Sequence, residues 1–149
     1  IMKHKWRFSG NEIQYLKEVI LSGEFSATGG DMNKKFEEKF CELLKTKFSV
    51  TFNSGTSTLH AALFAAGVEY GDEVIQPPLT VISNLQVTLA MNAIPVFADV
   101  NEETFNIDPK DIEKKITKKT KAIQVVPLYG LPCDYDEINK IAKKHNLIV

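Results

Sequence analysis

From Phe48 onward the hydrophobic pattern alternates between strand-like runs and helical spacing, and this alternation restricts the fold more than any other feature of the chain. Phe48-Ser49-Val50-Thr51-Phe52 reads as a strand, and a helix follows through Leu59, Leu63 and Ala66. Gly71-Asp72 turns into the strand Glu73-Val74-Ile75-Gln76, and the stretch from Thr80 to Met91 is helical in pattern. Ile94 to Ala98 is the next strand. Asp108-Pro109 opens a short helix ending near Ile116, Ala122 to Val126 is a further strand, and a helix runs from Asp134 to His145. Leu147-Ile148-Val149 begins another strand. Strands alternating with helices predict right-handed βαβ units: an α/β fold with a mainly parallel sheet and helices on both faces. Runs as short and apolar as Ala122 to Val126 suit strands covered on both sides.

Ahead of this region, Ser9 to Ile20 reads as an amphipathic helix with Ile13, Leu16 and Ile20 on one face, capped by Ser9 or Asn11 and leaving through Gly23. A second helix runs from about Asp31 to Leu44, with Phe36, Phe40, Leu43 and Leu44 at helical spacing. The loop between them, Gly23 to Gly30, is rich in small residues. At the other end, Val149 falls inside an apolar strand with no covering helix after it, so the protein is expected to continue further and this chain to be a truncated part of it.

Composition narrows the function classes. The chain has 149 residues, 44% hydrophobic and 25% charged, with a formal net charge of −1, so no global field favours nucleic acid or an anionic membrane. Arg7 is the only arginine, and Lys114, Lys115, Lys118, Lys119 and Lys121 lack the interleaved aromatics of a nucleic-acid surface and read as a solvated helix end. Cys41 and Cys133 stand far apart, outside ligand spacing, which argues against a metal site and for a reduced, cytoplasmic setting. The longest apolar run, Ala61 to Val68, is too short for a bilayer span, and residues 1–6 have no signal-peptide pattern.

The strongest chemical signal is Asn53-Ser54-Gly55-Thr56-Ser57-Thr58 between a strand and a helix. A helix start presents backbone N–H groups and positive partial charge, Gly55 permits close backbone approach, and the Ser54 and Thr56 hydroxyls add donors: the elements of a phosphate cradle. A simple N-cap is the commoner reason for such a serine, and spacing alone leaves both readings open. Neither GxxxxGK[ST] nor GxGxxG follows the first strand, which points away from P-loop and dinucleotide ligands. His60 reads as a helix-packing residue, and His4 and His145 carry no triad spacing. The acidic residues between Asp99 and Glu113 read as caps and exposed helix faces.

Several segments, taken in order, resemble the DegT/DnrJ/EryC1/StrS family of sugar aminotransferases. They are Ser22 to Gly30 followed by Phe36-Glu37, Asn53 to His60, Gly71 to Ile75 with Pro78-Leu79-Thr80, Pro95 to Val100 with Thr104 to Pro109, and Leu128-Tyr129-Gly130-Leu131-Pro132-Cys133-Asp134. The resemblance covers nearly the whole chain. It implies the large domain of a pyridoxal-phosphate (PLP) transferase of fold type I, with residues 1–149 forming the N-terminal part and the small C-terminal domain absent.

The same resemblance implies roles. Gly55 and Thr56 would hold the phosphate of pyridoxal 5′-phosphate, with Ser54 supporting the turn. Val81 would lie against the cofactor ring. Much of the family has an aromatic there, and valine offers apolar cover without stacking. Pro127 stands where many relatives have histidine. Thr28, Gly29 and Tyr129 would belong to substrate-facing or dimer-interface loops, although Tyr129 also fits a buried tyrosine at a strand end. No residue of this chain would be catalytic, because the aspartate facing the pyridine nitrogen and the lysine carrying the cofactor are expected beyond Val149. The implied activity of the full protein is amino transfer from glutamate to a nucleotide-linked keto-sugar, in polysaccharide or related glycan synthesis, by a cytoplasmic homodimer. A sugar dehydratase of the same fold, with histidine for the lysine, and a non-catalytic regulatory or interaction protein are the alternatives.

Overall fold

The computed structural model of the chain describes residues 10–149. The expected helix start at Ser9 and the readings of residues 1–6, His4 and Arg7 lie outside the described residues. The chain divides into two compact units, one ending at Thr51 and the other spanning Phe52–Val149.

The first unit contains helices α1 (Glu12–Ser22) and α2 (Met32–Leu44). Gly23 closes α1 in the left-handed conformation its sequence position predicts, φ 71°. Asn11 occupies the cap position, but its side chain makes no cap bond; the carboxylate of Glu12 accepts the Gly10 amide nearby at 3.0 Å. In α2 the rings of Phe36 and Phe40 lie 5.9 Å apart, and Glu37 accepts both the amide (2.7 Å) and the hydroxyl (2.8 Å) of Thr51. Those two bonds hold the Glu37 carboxyl below the usual carboxylate range, the amide contributing most.

The expected strand Phe48 to Phe52 does not form: these residues join no ladder among the described residues. A β-branched and aromatic run becomes a strand only when a neighbour takes its backbone groups, and here the Thr51 amide goes to a side chain instead.

The second unit holds α3 (Gly55–Ala65), β1 (Glu73–Gln76), α4 (Ser83–Ala90), β2 (Ile94–Phe97), α5 (Pro109–Lys115), β3 (Thr120–Ile123) and α6 (Tyr135–His145). The three strands form a parallel sheet in the order β2-β1-β3, and Ile148 extends it with a parallel bridge to Ala122, where a further strand is expected. Alternate residues of each strand point to opposite faces. Val74 and Ala122 pack with Leu63 of α3 and Val87 of α4. Ile75 and Ile123 pack with Ile112 of α5 and Ile138 and Ile141 of α6. Helices therefore cover both faces, as predicted.

Local chemistry sets the helix starts. Asp108 accepts the Lys110 amide at 2.9 Å ahead of Pro109, and Asp134 accepts the Glu137 amide at 3.1 Å. Asp111 accepts the Asp99 amide, which lowers its carboxyl below the ordinary range. Two boundaries differ from expectation. α4 begins at Ser83 rather than Thr80, whose hydroxyl accepts from Asn84 Nδ2 at 3.1 Å. β3 occupies Thr120–Ile123 rather than Ala122–Val126. Its partner β1 ends at Gln76, and the Gln124 amide makes the next bond to Ile75 C=O. Of the lysines read as one helix end, Lys114 and Lys115 do end α5, whereas Lys121 lies within β3.

Candidate functional site

The Asn53–Thr58 turn is a built helix start. Ser54 is extended, φ −159° and ψ 158°, and its Oγ accepts the Ser57 amide at 3.2 Å. Ser57 Oγ in turn donates to Asn53 Oδ1 at 2.7 Å, and Thr58 Oγ1 donates to Gly55 C=O at 2.6 Å. The first intrahelical bond runs from the Thr58 amide to Ser54 C=O, so the Gly55 and Thr56 amides precede any helical acceptor at the positive end of the helix. Ser54 is thus an N-cap in fact, and that role leaves two backbone donors directed out of the helix.

Among the described residues of this chain, none demands glycine at position 55. A Cβ there would meet nothing within 4 Å, and its backbone is not in the left-handed region. Gly29 is the opposite case: a Cβ would run into the carboxylate of Glu24 and lie 2.9 Å from Ser26 Oγ. The glycine of the helix start is therefore free for close approach by something other than this chain, whereas Gly29 is explained by the packing of its own loop.

Thr56 Oγ1 lies 3.0 Å from Ser83 Oγ, which joins the starts of α3 and α4. Two helix N-termini converge there, a favourable surroundings for an anion. Ser83 is a member of this cluster that sequence reading does not find, because its partner lies 27 residues upstream. Val81, two residues before Ser83, is 62% exposed on the segment leading from β1 into α4. The helix-start residues Ser54, Gly55 and Thr56 are thus connected through Ser83 to the segment that bears Val81.

Tyr129 sits in the 3-10 turn Leu128–Gly130, which follows β3. It is 94% exposed with φ 52°, so the buried reading does not hold. Within this chain, the left-handed residue projects its side chain and gains no packing in return. Thr28 and Gly29 lie in the first unit, in a turn where Ser26 Oγ accepts the Gly29 amide at 2.9 Å and Ser26 C=O accepts the Gly30 amide. His60, expected to pack on its helix, is exposed, because α3 turns Leu63 rather than His60 toward the sheet. Cys133 is buried in the sheet unit, and that burial pushes its thiol above the ordinary range. Among the described residues no cluster of His, Cys, Asp or Glu could hold a metal ion, and no helix is long and apolar enough to cross a membrane.

This architecture has close counterparts. GDP-perosamine synthase of Escherichia coli O157:H7 is 43% identical over 141 residues, which are 95% of this chain and 38% of that protein. Among solved structures, the aminotransferase from Psychrobacter cryohalolentis is 39% identical with a TM-score of 0.88, over 95% of this chain and 36% of that one. NtdA from Bacillus subtilis, solved with bound cofactor PMP, is 32% identical with a TM-score of 0.89, over 99% of this chain and 33% of that one. The chain thus has the α/β fold of PLP-transferase aminotransferases and spans 38% of the length of the perosamine synthase. The family model of the DegT/DnrJ/EryC1/StrS aminotransferases matches residues 7–149, and the chain belongs to that family.

Proposed function

We propose that the full-length protein is a pyridoxal-phosphate-dependent aminotransferase that moves an amino group from glutamate to a nucleotide-linked keto-sugar, and that residues 1–149 are the N-terminal part of its cofactor-binding large domain. The observation that carries this reading is the helix start at Ser54–Thr56, where no described residue packs against the open side of Gly55 and a second helix start adjoins it at Ser83. Family membership and a relative that makes a GDP-linked amino sugar support the substrate class.

The residues present fit the cofactor's phosphate. The Gly55 and Thr56 amides would donate to it, Ser54 would keep the turn in shape, and of the mutually bonded Thr56 and Ser83 hydroxyls the one that accepts from the other would donate from the side. Val81 would cover one face of the ring by apolar contact. When bound, the cofactor supplies an electron sink for exchanging an amino group between carbon skeletons. The task of this chain is to bind and orient; the lysine and the aspartate of the reaction would come from outside it. Tyr129, and across a homodimer interface Thr28 and Gly29, would face substrate. Such a protein would work in the cytoplasm in polysaccharide synthesis.

The test is an absorbance spectrum of the full-length protein with pyridoxal 5′-phosphate, then borohydride reduction, peptide mapping and an amination assay with glutamate and GDP-linked keto-sugars. A visible band fixed by reduction onto a lysine outside this chain, with glutamate-dependent amination, is the expected result. Bound cofactor without a lysine adduct would move the reading to a dehydratase, and no binding to a non-catalytic regulator. Gly55→Leu adds bulk where the fold has room, so it should weaken cofactor binding about tenfold or more while leaving Tm unchanged or raised. A Tm that falls with cofactor binding intact would return Ser54-Gly55-Thr56 to a purely structural cap.

A further inference from the structure

Asn106 is buried, and all of its side-chain bonds run to the turn that carries Tyr129. Its Oδ1 accepts the Leu128 amide at 2.9 Å, and its Nδ2 donates to the carbonyls of Leu131 at 3.0 Å and Pro132 at 3.1 Å. The bonds bracket Tyr129 and Gly130, which hold φ 52° and 85°. Asn106 is itself held: its amide donates to Thr104 Oγ1 at 3.3 Å and its carbonyl accepts the Asn101 amide at 2.9 Å. A left-handed conformation is strained for a tyrosine, and within this chain the side chain, 94% exposed, gains no packing that would offset it. Strain fixed by a buried, fully bonded amide, in a turn that follows a strand's carboxyl end, marks a place where ligands of parallel sheets bind.

We propose that Asn106 is a positioning residue for the acceptor substrate: by clamping Leu128, Leu131 and Pro132 it holds Tyr129 out from the carboxyl edge of the sheet, where the Tyr129 ring and hydroxyl contact the nucleotide-linked sugar. A tyrosine suits that ligand because its ring packs on a pyranose or a base while its hydroxyl bonds to a sugar oxygen. The inference rests on the aminotransferase reading above and adds to it the residue that shapes acceptor recognition.

The test uses the full-length, cofactor-loaded protein carrying Tyr129→Ala, Asn106→Asp, or both. Asn106→Asp keeps the bond to the Leu128 amide and loses the two to the carbonyls. The readouts are KM for the keto-sugar that the unsubstituted protein aminates, KM for glutamate, and the Kd of that sugar by calorimetry. Each single change is expected to raise the sugar KM and Kd about tenfold, the scale of one lost polar contact, with glutamate KM unmoved. The double variant is expected to be no worse than Tyr129→Ala, since both act through one contact. Unchanged sugar KM in Tyr129→Ala overturns the proposal even if Asn106→Asp does not fold, and fully additive effects overturn it as well. If the unsubstituted protein aminates no nucleotide-linked sugar, the aminotransferase reading falls and this inference falls with it.

Discussion

Helices α2 and α6 carry the same kind of amphipathic pattern, yet α6 buries Ile138, Ile141 and Ala142 while α2 buries no residue. The contrast extends to their units. Around the sheet, Ile75, Ile112 and Ile138 are wholly inaccessible, whereas Ile13, Leu21, Phe36 and Leu43 of the helical unit stand more than half exposed. An apolar stripe states that a face favours burial; it does not state what buries it. The sheet supplies a surface to α6. Among the described residues of the helical unit, α1 and α2 leave these apolar faces exposed.

Substitutions in the two cores give the largest effect. Ile138→Ala is expected to cost about 2–5 kcal/mol, whereas Leu43→Ala should cost about 0.5 kcal/mol or less, read as shifts of the urea midpoint of this chain. A Leu43→Ala loss equal to that of Ile138→Ala would break the comparison.

Caps sharpen it on a smaller scale. Asp134 accepts a backbone amide at the start of α6, and Asp31, in the same position for α2, makes no cap bond. Asp134→Ala should therefore lose about 1 kcal/mol. Asp31→Ala should lose no more than the about 0.3–0.5 kcal/mol of an exposed pair with Lys35. Equal losses in thermal melts would mean that the cap geometry does not distinguish the two regions.

The smallest effect concerns acid. Folding lowers the Glu37 carboxyl, so its bonds to Thr51 contribute fully above the ordinary carboxylate range and are lost as pH falls through the lowered value. The Thr51 amide resonance should therefore shift only on acidification below the ordinary glutamate range, and Glu37→Gln should abolish that shift. A Thr51 resonance indifferent to pH in the parent chain would show that the tie is not formed in solution.

Legibility followed the range of the interactions. Asp108 and Asp134 cap helices within three residues of themselves, and β1 forms at the four residues whose apolar run predicts it. The strand expected at Phe48 to Phe52 failed because pairing needs a partner that the run itself cannot specify. The site divides in the same way. The Ser54-Gly55-Thr56 helix start is local and could be picked out by its residue types. The Ser83 contact, the Asn106 clamp and the exposure of Tyr129 depend on segments 22 to 27 residues apart.

By itself the sequence determined the α/β class, the succession of elements in the sheet unit, most of their caps, and membership of an aminotransferase family, because periodicity, capping chemistry and ordered motifs are all carried by near neighbours. Only the tertiary structure decided which faces are covered, that Gly55 is open while Gly29 is crowded, and that a buried asparagine holds Tyr129 in a left-handed turn. Those outcomes rest on contacts closed through space, whose partners no local pattern names.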